Sequence, residues 1–326
     1  MDDVPKRVLV TGGSGFIGTR LLAALLEAGH MVTIYDKRQS KTFPEMSIVA
    51  DVRDKEALTS ACKGMEVIYH LAAEHADDVR PTSLYYDVNV KGAEYVVFAA
   101  VSQGIQRIVF TSTVALYGLN AGIPHEEFPA RPFNEYGKTK LQAEDIFRRW
   151  AGDDPSRSLV IARPAVIFGE GNRGNVFNLL SQIASRHFVM VGKGANRKSM
   201  GYVENISAFL VHVLAMGSGT HIYNYADKPD LTAAELVAIA RRKLNQRGRI
   251  LRIPYWIGLA GGYLFDLAAL VTGRQFPISS IRIKKFCAGT QIAADKLRET
   301  GFSPRYSLEQ GLERMIAADF QPNSKK

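Results

Sequence analysis

Residues 11–18 read Thr-Gly-Gly-Ser-Gly-Phe-Ile-Gly. They lie between a short apolar run at 6–11 and a segment in which Ile17, Leu21, Leu22, Leu25 and Leu26 recur at helical spacing. Glycines between a strand and a helix allow a tight turn and let backbone approach a pyrophosphate seated on the helix N-terminus. A glycine trio alone is a weak sign. With that strand before it, that helix after it and Asp36 ending the next strand, it reads as a dinucleotide-binding loop. The pattern then alternates. Strands are expected over 31–36, 47–50, 66–71, 107–113 and 158–163, and helices over 16–28, 83–103 and 135–150. Near-continuous apolar strands between helices predict an α/β fold, a Rossmann-type doubly wound parallel sheet. After Pro164 the pattern becomes irregular, with a return to the sheet expected near 200–225. The expected division is a Rossmann domain over 1–168 and 199–226, and a smaller substrate-binding lobe over 169–198 and 227–326.

Composition bounds the rest. The 326 residues are 46% hydrophobic and 22% charged, enough for a full core. The two cysteines, Cys62 and Cys287, lie far apart without metal-ligand neighbours, which suits a reducing cytoplasmic setting. Residues 1–6 are short and acidic and do not read as a signal peptide. The net charge is +9, and the excess is local: residues 241–326 hold 16 Lys/Arg against 6 Asp/Glu. Nucleic acid, an acidic membrane surface, a diphosphate substrate or a solvated face would each account for it.

A carboxylate at Asp36 accepts hydrogen bonds from ribose hydroxyls and repels a 2′-phosphate, which favours NAD; Lys37 and Arg38 act in the other direction. Asp51-Val52 ends the third strand, where an acid meets the adenine amino group or simply stays solvated. Tyr136 and Lys140 are four apart and so share one helix face. A nearby ammonium, like a nicotinamide cation, lowers a phenol's pKa and fits it to take a proton from a substrate hydroxyl. Thr111-Ser112-Thr113 brings hydroxyls to the end of the preceding strand.

The glycine loop, His70-Leu71-Ala72-Ala73, Asn89-Val90-Lys91-Gly92, Thr113, Tyr136 with Lys140, Arg163-Pro164, Arg197 and Tyr202-Val203-Glu204-Asn205 resemble the NAD-dependent epimerase/dehydratase family, extended short-chain dehydrogenase/reductases, over essentially the whole chain. The resemblance implies NAD as a retained cofactor and Thr113, Tyr136 and Lys140 as the catalytic set. It implies cofactor contacts at Gly12, Gly15, Phe16, Ile17, Gly18, Asp36, Asp51, Val52, Leu71, Ala72, Ala73, Lys140 and Pro164. Dehydratases of the family carry an Asp-Glu pair directly after the catalytic threonine. Here Val114 and Ala115 stand there and cannot move protons, which leaves 4-epimerisation or simple dehydrogenation.

Longer segments, among them 72–75, 77–79, 81–90, 172–176, 223–230 and 284–288, resemble bacterial 4-epimerases that act on N-acetylglucosaminyl-diphospho-undecaprenol, in O-antigen and related glycan assembly. Thr113 stands where serine is expected in those enzymes, and either supplies the hydroxyl. The resemblance implies a lipid-linked or nucleotide-linked N-acetylhexosamine as substrate, with Ser112, Asn175, Arg197 and Thr290 as substrate-binding residues. Gly289 and Thr290 are small enough to leave room for an acetamido group, and Arg197 presents a fork suited to a diphosphate. His70 and His75 read as packing or loop residues, and no metal site is expected. The alternatives are a UDP-N-acetylglucosamine or UDP-glucose 4-epimerase, a steroid-type dehydrogenase and a non-catalytic dinucleotide-sensing module.

Between Arg252 and Arg274 lie 21 residues with one charge, Asp266. This is either a buried helix of the lobe or a segment that meets a membrane. Four glycines, Pro254 and Asp266 argue against a span, and the flanking Arg and Lys argue for anionic lipid. The expectation is a cytoplasmic protein, peripheral on the inner face of the plasma membrane, that binds no nucleic acid; a homodimer is left open.

Overall fold

The computed structural model describes residues 4–76, 79–118, 121–273 and 279–321. Arg274, and Asp77 and Asp78 of the 77–79 segment, lie outside them. The chain forms two compact units, one of Met1–Ile167, Val203–Ala226 and Ile292–Arg305, the other of Phe168–Tyr202, Asp227–Gln291 and Tyr306–Lys326.

The first unit holds a seven-stranded sheet. Its strands are β1 (Arg7–Thr11), β2 (Met31–Asp36), β3 (Ser47–Val49), β4 (Val67–His70), β5 (Arg107–Thr111), β6 (Ser158–Pro164) and β7 (Gly219–Tyr225). They lie in the order β7-β6-β5-β4-β1-β2-β3, and every pairing is parallel. Successive side chains point to opposite faces, and both faces are covered. Leu9, Ile68, Ile108, Phe110 and Ile161 enter one core with Val96, Phe147 and Trp150. Val8, Val10, Tyr69, Val109 and Val160 enter the other with Leu21, Leu22, Leu25, Phe209 and Leu210. All four residues of β4 and all seven of β6 are buried, and the apolar runs Val67–Tyr69 and Leu159–Ala162 form their centres. The chain order reverses between β1 and β4, and doubly wound sheets bind ligands at such a switch point, beyond the strands' carboxyl ends.

The structure departs from the expected boundaries in three places. Residues 292–305 belong to the first unit: Ala293 N–H donates to the Pro124 carbonyl, Leu297 enters the second core, and Phe302 packs on Phe209. Only Gly219–Tyr225 of the 200–225 region joins the main sheet. Arg197–Tyr202 pairs antiparallel with Asp227–Thr232 in the second unit, where the Asp227 carboxylate also accepts the Tyr202 N–H at 2.7 Å. The helix expected over 83–103 is helical throughout but passes through a π-helical stretch, Tyr86–Lys91, before Gly92–Gln103. Such wide turns are frequent near functional sites. This one sets Asn89, buried, against the backbone of Glu74 and the hydroxyl of Thr139.

In the second unit, helix Leu308–Phe320 packs against Ala233–Lys243, and both begin in capping boxes, Ser307 with Gln310 and Thr232 with Glu235. The apolar run forms helix Tyr255–Thr272, followed by Ser280–Cys287. Its only buried residues are Gly258 and Gly262, so it is not the buried lobe helix that was one of the two readings of the run.

Candidate active site

The glycine loop fits a dinucleotide on steric grounds. Gly12 has φ +74°, and a Cβ there would lie 2.6 Å from the Ala72 nitrogen and 2.8 Å from the Leu71 carbonyl carbon. A Cβ on Gly18 would lie 2.5 Å from the Gly12 oxygen. Glycine at both positions therefore lets the loop close onto the first turn of helix Phe16–Glu27 and onto the segment after β4. Leu71, Ala72 and Ala73 are partly exposed there, while Phe16 and Ile17 open the helix, also partly exposed. The Gly15 N–H donates back to the Gly12 carbonyl at 3.1 Å.

Asp36 ends β2 beside this loop. Its carboxylate accepts the backbone N–H groups of Ser14 (3.1 Å) and Arg38 (3.0 Å). The Lys37 ammonium is drawn to Glu74, 2.7 Å away. Glu74 in turn exchanges backbone hydrogen bonds with the Asn89 side chain. One of the two cations that blurred the choice of cofactor, Lys37, thus has a carboxylate partner. Asp51 is chelated by Arg53 through both carboxylate oxygens, which holds its pKa below the ordinary value. Val52 is buried under Gly92, and Pro164 is buried at the end of β6.

The catalytic candidates come together in the first unit. Thr113 caps the turn Val114–Tyr117, its Oγ accepting the Ala115 N–H at 3.1 Å, and it also hydrogen-bonds the Tyr136 phenol. Asn134 caps helix Glu135–Gly152 by accepting the Gly137 N–H, which fixes Tyr136 in the first turn and Lys140 one turn on. Lys140 is buried, its ammonium 4.1 Å from the centre of the Phe110 ring. Burial lowers its pKa to about 7, against the pull of Glu144.

The phenol corrects one expectation. Burial pushes Tyr136 up to about 12, and the Thr113 hydrogen bond opposes this; the ammonium does not set the direction. His70 is the packing residue expected. It shares a 2.8 Å hydrogen bond with Thr11 Oγ1, stacks on Phe110, and is driven by burial and by Lys140 to a pKa of about 3. Among the described residues, the buried Thr111 Oγ1, Ser112 Oγ and His70 Nε2 have no hydrogen-bond partner, and no cluster of metal ligands forms. Unpaired hydroxyls at the strand end, beside a glycine loop with no room for Cβ atoms, fit a bound dinucleotide and a hydroxyl-bearing substrate.

The substrate candidates Asn175, Arg197 and Thr290 are exposed residues of the second unit. Asn175 opens helix Asn175–Ala184, whose N-terminal N–H groups suit an anion. Arg197 donates to the Asp230 carbonyl at 2.8 Å. Its own carbonyl accepts the Thr290 N–H, so the two residues are neighbours. Lys198 is committed to the carbonyls of Lys285 and Ala288.

A buried network went unread in the sequence. The Arg163 guanidinium is bidentate on Glu144 (2.9 and 2.7 Å) and donates to Tyr117 Oη and to the Glu126 carbonyl. Tyr117 donates to Asn224 Oδ1, and Glu126 accepts the Asn224 N–H. The available sign was a charge pair placed where the pattern calls for core: Glu144 four residues past Lys140, and Arg163 inside an apolar strand.

Comparison with known proteins agrees with this geometry. Residues 8–226 match the NAD dependent epimerase/dehydratase family. The N-acetyl-alpha-D-glucosaminyl-diphospho-ditrans,octacis-undecaprenol 4-epimerase of Escherichia coli O157:H7 is 50% identical over 315 residues, 96% of this chain and 95% of that protein. The UDP-glucose 4-epimerase of Vibrio cholerae is 25% identical over 99% of this chain and 98% of that one. The solved UDP-N-acetylglucosamine 4-epimerase from Bacillus cereus superposes with a TM-score of 0.76 at 17% identity, covering 96% of this chain and 99% of its own. The fold, the family match and the half-identical relative together place this chain in the NAD-dependent epimerase/dehydratase family.

Proposed function

We propose that this protein is a 4-epimerase that interconverts GlcNAc and GalNAc while the sugar is attached to a polyprenyl (undecaprenyl) diphosphate, in the assembly of O-antigen or a related surface glycan. The observation that carries the reading is the full-length, 50% identical relative named for that reaction. An assembled set of Thr113, Tyr136 and Lys140 supports catalysis over a sensing role. Val114 and Ala115, which cannot transfer protons, count against dehydration.

Gly12, Gly15 and Gly18, with Phe16 and Ile17 opening the helix, would hold the pyrophosphate of NAD. Asp36 would take the adenosine ribose, Asp51 and Val52 the adenine, and Leu71, Ala72, Ala73, Lys140 and Pro164 the remainder of the dinucleotide. When bound, NAD supplies a reversible hydride acceptor. The residues of this chain handle the proton. Thr113 and Ser112 bind the C4 oxygen; Thr113 bonds the phenol as well, so the substrate oxygen and Tyr136 are held on one short path. Tyr136 takes the proton from the C4 hydroxyl and returns it. A phenol near 12 stays protonated at neutral pH, so its activation as a base depends on nearby positive charge: the cofactor and the Lys140 ammonium, which Glu144 favours and burial opposes. Epimerisation also requires the hexose to turn between the two half-reactions, so the lobe must grip the diphosphate more firmly than the sugar. Arg197 and Asn175 are assigned that grip, and Thr290 the space for the acetamido group.

The enzyme would work on the cytoplasmic face of the membrane, where a polyprenyl carrier presents its headgroup. The test is to offer GlcNAc-diphospho-polyprenol and UDP-GlcNAc in parallel to purified protein without added cofactor. The reading expects turnover of the first in clear preference. Preference for UDP-GlcNAc would instead make this a nucleotide-sugar epimerase.

A further inference from the structure

Helix Tyr255–Thr272 is fastened to its unit along a single stripe. A Cβ on Gly258 would lie 2.5 Å from Val191 Cγ1, and one on Gly262 would lie 2.8 Å from the backbone of Ser280. One turn further on, the Asp266 carboxylate accepts the Ser280 N–H at 3.2 Å, at the start of helix Ser280–Cys287. Residues 258, 262 and 266 are spaced four apart, so they form one face. The only charge of the helix is therefore spent on its packed side.

The opposite face is apolar and in water. Trp256 is 70% exposed, Leu264 69%, Leu270 82% and Val271 78%, with Tyr263 and Leu267 more than half exposed between them. At 100° per residue these positions sweep about a third of the helix circumference, and none carries a charge. Contiguous apolar surface of this kind marks an interaction site.

The rim identifies the occupant. Residues 241–287 hold ten Lys/Arg and one Asp/Glu, Asp266. Arg249 and Arg252 precede the helix, and Arg282, Lys284 and Lys285 lie on the neighbouring one, all exposed. Lys284 donates to the Tyr263 hydroxyl at 2.9 Å, which sets an ammonium at the edge of the apolar face, the arrangement of a side chain at a lipid–water boundary. A second copy of this chain would bring two cationic rims together. An anionic bilayer satisfies the apolar face and the rim at once.

Length alone would permit a span: 18 residues rise about 27 Å, close to the hydrocarbon thickness. Spanning would require stripping the glycine stripe from Ser280–Cys287 or dragging Arg282, Lys284 and Lys285 into hydrocarbon. We propose that the helix lies flat in one leaflet of an anionic membrane as a monotopic anchor, with Trp256, Leu264, Leu267, Leu270 and Val271 facing the acyl chains and the basic rim on the headgroups. This deepens the membrane part of the proposed function and rests on that part alone; the sugar reaction is not needed for it.

The test uses the full chain with phosphatidylcholine–phosphatidylglycerol vesicles, against phosphatidylcholine alone. The protein is expected to float with the anionic vesicles and far less with the neutral ones. The other tryptophan, Trp150, is only 2% exposed, so a vesicle-dependent blue shift reports Trp256. Lipids brominated near the headgroup should quench it more than lipids brominated at the chain ends. A triple variant, Trp256→Ser with Leu264→Ser and Leu267→Ser, should bind anionic vesicles at least ~10-fold more weakly while binding NAD as the parent does. The blue shift and quenching of Trp256 need no variant, so they decide vesicle binding even if the triple variant misfolds. In a Trp256→Phe, Leu264→Trp variant, which moves the probe to mid-helix, stronger quenching at the chain ends would overturn the flat orientation in favour of a span. No vesicle response would overturn the proposal altogether, and a concentration-dependent dimer that shields Trp256 would assign the face to a second copy. Retained flotation of a folded triple variant would also refute it, and unaltered NAD binding keeps each of these outcomes distinct from a failure of the enzymatic reading.

Discussion

Glu144→Gln tests whether the buried network holds the catalytic helix in place. The Glu144 side chain is fully buried and the Arg163 side chain is 3% exposed. The carboxylate receives Arg163 Nε and Nη2 at 2.9 and 2.7 Å and Arg148 Nη2 at 2.8 Å. Glutamine keeps the shape but loses the charge, and its amide N–H groups meet guanidinium N–H groups across one of these contacts. Arg163 retains Tyr117 and the Glu126 carbonyl, but no counter-ion among its described partners. Breaking a buried pair from one side costs about 3–5 kcal/mol, because the remaining charge stays desolvated. For a unit of roughly 200 residues each kcal/mol moves Tm by about 2–4 °C, so a fall of roughly 6–20 °C is expected by calorimetry. Methionine at both Glu144 and Arg163 should recover much of that loss, since an apolar pair of similar volume avoids the desolvation altogether. A folded Glu144→Gln protein within about 1 kcal/mol of the parent would show that Arg163 is not paired as described, and would refute the reasoning.

Three further outcomes are expected. Tyr136→Phe and Thr113→Val should each lower epimerase turnover ~10²-fold or more with the fold intact by circular dichroism; near-parental turnover of Tyr136→Phe would exclude it as the proton carrier. Glu74→Gln releases Lys37 from its 2.7 Å ion pair beside Asp36 and should tighten NADP binding about fivefold, roughly 1 kcal/mol, with little change for NAD in calorimetric titration of the two cofactors. Lys140, with its folded pKa near 7 and an unfolded value near 10.5, binds fewer protons folded than unfolded in that window. Stability should therefore rise with pH from about 7 to about 10 relative to Lys140→Met, as read by urea denaturation; parallel profiles would contradict the buried, shifted lysine.

The parts of the protein set by local chemistry were legible before the fold. The glycine loop is one, because strand, loop and helix are contiguous and Gly12 and Gly18 are where the backbone leaves no room for a Cβ. Tyr136 and Lys140 are another, because four residues of one helix fix their relation. What depends on distant partners was not legible. Nothing near Arg163 in sequence points to Glu144, Tyr117 or Glu126, nor does anything near Lys37 point to Glu74 and, through it, to Asn89. Periodicity also could not place residues 292–305, which return to the first unit through the Pro124 and Asn224 contacts of Ala293. The helix over 255–272 reads as apolar on all sides, and only the packing shows that its glycines are the fastened face and its large side chains the exposed one. The direction of the Tyr136 shift is not legible in sequence either, because spacing reports the nearby lysine but not the burial that raises the phenol.

The central claim is removal of hydrogen at C4 and its return to the same carbon, and it is tested most directly by isotope retention. GlcNAc-diphospho-polyprenol deuterated at C4 is incubated with the purified protein in ordinary water without added NAD, and the released hexosamines are separated and weighed by mass spectrometry. The account predicts GalNAc that keeps its deuterium at C4, because the proton carried by Tyr136 comes from oxygen and not from carbon. GalNAc in which C4 deuterium has been replaced by solvent hydrogen would contradict it.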